Sequence, residues 1–522
     1  MNVSYTRDEI IAEDEVLLGC AEDEIVDQLP ARLSHGILKW AIQTPDAVAV
    51  VASGKTLDYK GLAHAVAEAG QFLQSQGVRP GDRVMMVSEN GMALMVLVLA
   101  LSEMDAVAAV INARLSEREI NLIEADCEPR LVIYTIDDST DATELADTRS
   151  AVRHELAVGN IAVSTIKDVP TELAGLSSAD QILAMIYTTG TTGAPKGVML
   201  THRNLAFIAF VSGRLRGIRA GDPVYGVLPM SHVFGLSAVS CSVLFSGGAI
   251  HLVARFAANE ALRALVEDGI VGFLGVPTMY ARMLEALASQ PEWRSTTLRF
   301  LYSGGAPLAA DLKSRIEARF GMPLHNGYGL TESGPTISQT RLYAPMPNCS
   351  VGFVLPGVET RILDAAGNEV EPGAVGELWA RGPNIMKGYF RKPEMTAQVL
   401  QDGWFNTGDL VFMDESGAIN ISGRTKELII RSGFNVYPPE VESVLSAHPL
   451  VSVAAVVGRQ VDGDEEIVAF VQPVAGHVID IAGLLAFARE KLAGYKVPGK
   501  IIVMAELPAA PSGKILKHQL EV

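Results

Sequence analysis

The run Tyr187-Thr-Thr-Gly-Thr-Thr-Gly-Ala-Pro-Lys196-Gly197 follows an apolar stretch, Ile182–Ile186, and is the most chemically ordered segment of the chain. Its glycines permit close backbone approach. The hydroxyls of Thr188, Thr189, Thr191 and Thr192 and the amide at Gly190 can cradle phosphate oxygens, and Lys196 can add positive charge. It is not a Walker A loop, because Gly197 rather than Ser or Thr follows the lysine. Thr331-Glu332 places a hydroxyl beside a carboxylate at the end of an apolar-to-glycine turn. Ser303-Gly304-Gly305-Ala306-Pro307 ends a buried strand with almost no side chains. Taken alone, Glu332 would be a solvated loop acid, Tyr328 a packing residue, His232 a core histidine and Lys514 a tail charge.

The elements that must position these residues follow from hydrophobic patterning. Short apolar runs (Val48–Val51, Arg83–Val87, Ala106–Val110, Leu131–Tyr134) read as buried strands, and Tyr59–Gln76 and Met92–Glu103 read as helices between them. The same alternation continues through Asp222–Leu228, Ala249–Leu252, Gly272–Val276 and Arg299–Tyr302. It predicts layered α/β subdomains with mostly parallel sheets. Near Leu363 turn signals become dense and strands such as Gly376–Ala380 and Ala418–Ser422 predict a β-rich subdomain. After Gly423-Arg424 a compact α+β piece is expected: helices Pro439–Ser446 and Ile481–Leu492 with strands Val451–Val457 and Glu466–Pro473. The fold class is therefore α/β, with a large N-terminal domain over 31–424, a small mobile α+β domain over 425–522, and an acidic N-terminal arm over 1–30 expected to be loose or peripheral.

The phosphate loop resembles that of the acyl-adenylate-forming superfamily, which contains acyl-CoA synthetases, peptide-synthetase adenylation domains and luciferases. Six further family motifs follow in order: Pro229-Met-Ser-His232-Val-Phe-Gly235, Asn326-Gly-Tyr-Gly-Leu-Thr331-Glu332, Gly376-Glu-Leu-Trp-Ala-Arg-Gly382, Trp404-Phe-Asn-Thr-Gly-Asp409, Gly423-Arg424-Thr-Lys426-Glu427 and Pro511-Ser-Gly-Lys514. The resemblance implies ATP, Mg²⁺ and coenzyme A as reactants, with Glu332 as the Mg²⁺ ligand and Thr331 on phosphate. It implies Asp409 and Arg424 on the ribose, and Gly304, Gly305, Ala306, Asn326, Gly327 and Tyr328 around the adenine. Lys514 would be the catalytic lysine that offsets charge at the α-phosphate, Lys426 the hinge, and Gly433-Phe434-Asn435 the wall of a thiol channel. His232 would gate the acyl pocket, whose walls would be Phe207, Val233, Phe234, Ser237, Val276, Ser303, Gly304 and Gly327. None of these is charged, so the expected substrate is a hydrophobic aryl or medium-chain carboxylate. Where related aryl ligases carry basic residues this chain has Ile430 and Ser432, with Arg431 alone nearby.

Composition sets the outer limits. Charge is −18 overall, from 42 basic and 60 acidic residues. The first 30 residues hold nine acids against Arg7, so the remainder is only mildly acidic. That argues against a nucleic-acid partner, which needs a basic footprint, and against a signal or transit peptide. Met92–Leu101 is too short for a membrane span. The four cysteines (Cys20, Cys127, Cys241, Cys349) form no CxxC and suit a reducing, cytoplasmic setting. The reading is an ATP-dependent acid:CoA ligase. A ligase that loads carrier-protein phosphopantetheine and a nucleotide-binding pseudoenzyme stay open as alternatives, as does a homodimer.

Overall fold

The structure, a computed structural model, describes residues 5–172, 177–189, 195–431, 434–461, 464–509 and 515–520. Two large sheets dominate it. One has nine strands and the other eight, and each is parallel at its centre and antiparallel towards its edges. Strand Arg83–Ser88 is buried along its whole length, as a central strand covered on both faces must be. Its alternation divides the molecule into layers. Val84 and Met86 point into the core shared by the two sheets, whereas Met85 and Val87 point to a separate outer core. In the nine-stranded sheet Tyr302 faces the shared core, and Leu301 and Phe273 face a third core on the far side.

Helices Met92–Glu103 and His202–Leu215 fill the space between the sheets. Met92–Glu103 is apolar all round, and all its residues but Glu103 are buried. Residues Glu359–Leu363, Gly376–Arg381, Leu400–Gln401, Trp404–Met413 and Ile419–Arg424 build a five-stranded sheet, the β-rich part. Beyond it, strands Val451–Val461, Asp464–Pro473 and Lys500–Val503 and helices Pro438–Ser446 and Ile481–Lys491 enclose a core of their own, from Ile429 to Ile501. This is the small C-terminal domain. Among the described residues no helix is long and apolar enough to cross a membrane.

The N-terminal arm departs from expectation. Residues Arg7–Leu18 form a helix closed at its start by a Thr6–Glu9 capping box and at its end by Gly19 in the left-handed region. Asp14, 2% exposed, accepts three charge-assisted bonds at 2.8, 3.0 and 2.7 Å from the fully buried Arg341, and a fourth bond at 2.8 Å from the Tyr343 hydroxyl. Leu18 and Ile25 are fully buried, and the Glu22 carboxylate accepts the Gly357 amide at 2.7 Å. The arm is an integral part of the large domain. Its anchor is a charged partner more than 300 residues away, which no local pattern reveals.

Candidate active site

The expected site segments sit where parallel strands end. Thr188 lies near the end of Ile182–Thr189, His232 follows Pro223–Gly226, Val276 follows Gly272–Gly275, and Gly304 follows Phe300–Ser303. Carboxyl ends of strands in an open α/β sheet are the usual place for a ligand crevice. Gly190, Thr191, Thr192, Gly433 and Lys514, with the side chain of Thr189, lie outside the described residues.

Two polar clusters hang from one segment, four residues apart. At Tyr328 the hydroxyl donates to Asp409 Oδ2 at 2.5 Å, and Arg424 Nε donates to Asp409 Oδ1 at 3.0 Å. Register pairing of Trp404–Met413 with Ile419–Arg424 sets Asp409 opposite Arg424. Burial, and then the adjacent carboxylate, hold the Tyr328 phenol well above its ordinary range. It therefore stays a donor at any working pH. Asn326 beside it is tied to the Cys349 carbonyl at 3.1 Å.

At Glu332 the carboxylate accepts the Tyr389 hydroxyl at 2.8 Å. The Lys196 ammonium stands 5.4 Å from the centroid of the same tyrosine ring. Strand pairing explains the meeting, because Lys196 is opposite Thr188 while Gly388–Tyr389 lies along Val198–Met199. The turn is held rigidly. The Met386 amide donates to the Glu332 carbonyl at 2.8 Å, and the buried Asn384 amide donates to the carbonyls of Ser333 and Thr336 at 3.1 and 2.9 Å. A side chain at Gly329 would sit 1.6 Å from the Pro335 carbonyl oxygen, so only glycine lets the segment double back. Tyr389 was not among the residues singled out from sequence. Nothing in its neighbourhood marks it apart from an ordinary strand tyrosine.

The acyl group is partly assembled. The Phe234 ring covers Gly304 and Gly305, and Val276 borders Gly305. Gly304 faces the Gly327 carbonyl. His232 is half-buried, and burial, aided by the charge of Arg114, holds its imidazole below the ordinary range, hence neutral. Val233 is buried beside it. Two expectations fail. Phe207 is fully buried with its ring against Gly357 and Ile25, so it is a packing residue under the N-terminal arm. Ser303 alternates with Tyr302 and Gly304, which assigns it to the outer face with Leu301 rather than to the Gly304 group.

In the C-terminal domain Phe434 is 54% exposed and stacks on Tyr495 at 4.7 Å, with Asn435 exposed next to it. Arg431, the basic residue beside Ile430, donates to the Val497 carbonyl at 2.7 Å. Lys426 is exposed in the single turn Thr425–Glu427 between the two domains.

Residues 37–390 match the AMP-binding enzyme family, and residues 440–514 match the AMP-binding enzyme C-terminal domain. The chain belongs to the AMP-binding enzyme family. A feruloyl-CoA synthase from an Amycolatopsis species is 35% identical over 497 residues, spanning 93% of this chain and 99% of the relative. ATP-bound MatB from Rhodopseudomonas palustris matches with a TM-score of 0.81 at 30% identity, covering 94% of this chain and 98% of that one. The o-succinylbenzoate CoA synthetase MenE from Bacillus subtilis, solved with the acyl-adenylate intermediate OSB-AMP, matches at 0.79 and 28% identity, covering 93% and 98%.

One further ion-pair cluster of this AMP-binding enzyme escaped the motifs. Lys517 stands 2.8 Å from Glu427, the last residue of the inter-domain turn, and 2.8 Å from Glu442 on helix Pro438–Ser446. Three residues after Lys514, it ties the C-terminal segment to the base of its domain.

Proposed function

We propose that this protein is an ATP-dependent acid:CoA ligase. A carboxylate attacks the α-phosphorus of ATP, forming acyl-AMP and releasing pyrophosphate. The CoA thiol then displaces AMP, its proton leaving to solvent. The observation that carries the reading is the pair of clusters on the segment from Tyr328 to Glu332. Asp409, oriented by Tyr328 and Arg424, offers a fixed carboxylate suited to ribose hydroxyls. Glu332, held by Tyr389 beside Lys196, offers one hard oxygen ligand and one cation, as a metal–triphosphate requires. Mg²⁺ fits this donor set, because it takes one or two carboxylates and completes its shell with phosphate and water. When bound, it would supply charge neutralisation on the phosphates. Thr331, Lys196 and the Thr188–Thr192 loop would hold the phosphates, and Lys514 would offset the charge that develops at the α-phosphate.

Lys426 is the proposed pivot between a domain over 31–424 and one over 425–522. One orientation brings in Lys514 for adenylation, and the other brings Gly433-Phe434-Asn435 alongside the thiol path. The anhydride is already activated, so the second step needs positioning and exclusion of water rather than a protein nucleophile. Phe234, Val276, Gly304 and Gly327 suit an acid with an apolar aryl or medium-chain body. The named activities of the relatives support this choice. The test is acid-dependent pyrophosphate release across a carboxylate panel, with CoA and with a carrier protein as acceptors. AMP and an acyl-CoA are the expected products. ADP as the product, or no acid-dependent release, would defeat the reading.

A further inference from the structure

Three arginines are buried among the described residues, and two of them have acid partners: Arg341 pairs with Asp14 and Arg83 with Glu172. Arg216 does not. It is 3% exposed, and among the described residues it makes no ion pair. Its Nη1 donates to the Ala238 carbonyl, its guanidinium lies 5.1 Å from the Tyr302 ring centroid, and its Nε has no partner. A carbonyl and an aromatic face offset only part of the cost of desolvating a cation, so the site is left short of negative charge.

The place of that shortage matters. Tyr302 precedes Gly304 by two residues on the same strand face, so it lies ~7 Å deeper along the strand. Ala238 belongs to the helical turn Phe234–Cys241, whose first ring covers Gly304. Across the sheet, Gly327 is the register partner of Gln339. Gln339 is fully buried, with neither its amide nitrogen nor its amide oxygen bonded among the described residues. The Ser237 hydroxyl, next to Ala238, is likewise buried without a partner. Buried, unused hydrogen-bonding groups thus stand on three separate elements that border Phe234, Gly304 or their neighbours.

We propose that Arg216, assisted by Gln339, forms an anion-binding end wall to the acyl pocket, and that the substrate is a dicarboxylate whose second carboxylate pairs with Arg216. The residues between the two ends, Phe234 and Gly304, offer no charge, so an apolar aryl or alkenyl body would join the two carboxylates. Arginine is suited to this task because its planar fork meets a carboxylate with two parallel donors and keeps its charge when buried.

This inference rests on the ligase reading and is tested by matched substrates. An aryl diacid and its half methyl ester have the same length and body, and differ in the distal charge. Pyrophosphate release should give wild type a kcat/KM at least tenfold higher for the diacid. In Arg216→Met the diacid-to-ester ratio should fall by about 100-fold, and in Gln339→Leu by about tenfold; Gln339→Leu carries the test should Arg216→Met fail to fold. ATP binding and thermal melting identify misfolded variants. A wild-type preference for the ester, or a ratio within threefold of wild type in the folded variants, overturns the end wall while leaving the ligase intact. Absence of pyrophosphate release with every acid would instead bring down the ligase reading, and this one with it.

Discussion

Gly304 is the position at which a single methyl group should report on the acyl pocket. In Gly304→Ala the new carbon would stand 2.9 Å from Phe234 Cε1, 3.1 Å from Phe234 Cζ and 3.7 Å from the Gly327 oxygen. Carbon–carbon contact is comfortable from ~3.5 Å, so the ring edge must withdraw by about 0.5 Å. Gly304 is absent from the left-handed region, so the backbone accepts alanine without strain. The cost is therefore one of overpacking, ~1–3 kcal/mol, and it falls on the space that the acid's apolar body would share with the ring. On that scale kcat/KM for a bulky acid should drop about 10–200-fold, and for a short acid far less. Adding Phe234→Leu should restore most of the loss, because the clash is with this ring alone. The assay is steady-state pyrophosphate release with KM for acid and for ATP measured in parallel. If KM for ATP rose equally with every acid, or if Phe234→Leu gave no rescue, Gly304 would be glycine for the nucleotide's sake and the argument would fail.

Three other outcomes are expected. Asp14→Asn leaves the Arg341 cation buried without compensation and should cost about 3–5 kcal/mol in urea unfolding, whereas Asp14→Leu with Arg341→Met should recover most of it; equal damage from the pair would show that the charges are not what anchors the arm. Lys514→Ala should lower acyl-AMP formation on the order of 100-fold yet still convert supplied acyl-AMP to thioester, and a uniform loss in both steps would contradict the division of labour. His202 is fully buried, its Nδ1 accepts the Leu33 amide at 3.2 Å, and burial takes its pKa down to about 4. Between pH ~6.5 and 4 the unfolded chain therefore binds more protons than the folded one, so stability falls as pH falls through that window, by up to about 3 kcal/mol. His202→Asn should flatten this part of the pH profile of the urea midpoint; an unchanged slope would assign the acid sensitivity elsewhere.

Much of the architecture is written locally. A strand such as Arg83–Ser88 declares itself because a continuous apolar run can be satisfied only between two covering layers. Met92–Glu103 does so because an all-apolar helix has nowhere to go but inside. The Tyr187–Gly197 run, proposed as a phosphate loop, and the Thr331-Glu332 and Thr-Gly-Asp409 motifs stand out for a similar reason. Backbone approach to phosphate and a fixed carboxylate each demand particular residues at close spacing along one stretch of chain. The position of the candidate site at the carboxyl ends of the strands then follows from the fold class.

Pairings between distant segments are another matter. Asp14 looks like one more acid in a solvated helix until Arg341 meets it, and Tyr389 looks like packing until the Val198–Met199 strand brings Lys196 and Glu332 to its two sides. Phe207 reads as a pocket wall by its place near the motifs, yet the helix His202–Leu215 turns that face towards Gly357 and Ile25. Arg216 closes the series. Read along the chain, the residues expected to line the acyl pocket carry no charge; folded, an arginine from outside every motif lies buried against Tyr302 and the Ala238 carbonyl. Periodicity encodes how deeply a residue is buried, and topology alone sets what it is buried against. For a charged group that second fact decides its energy, because the interaction of charges depends on a few ångströms of separation that sequence distance does not measure.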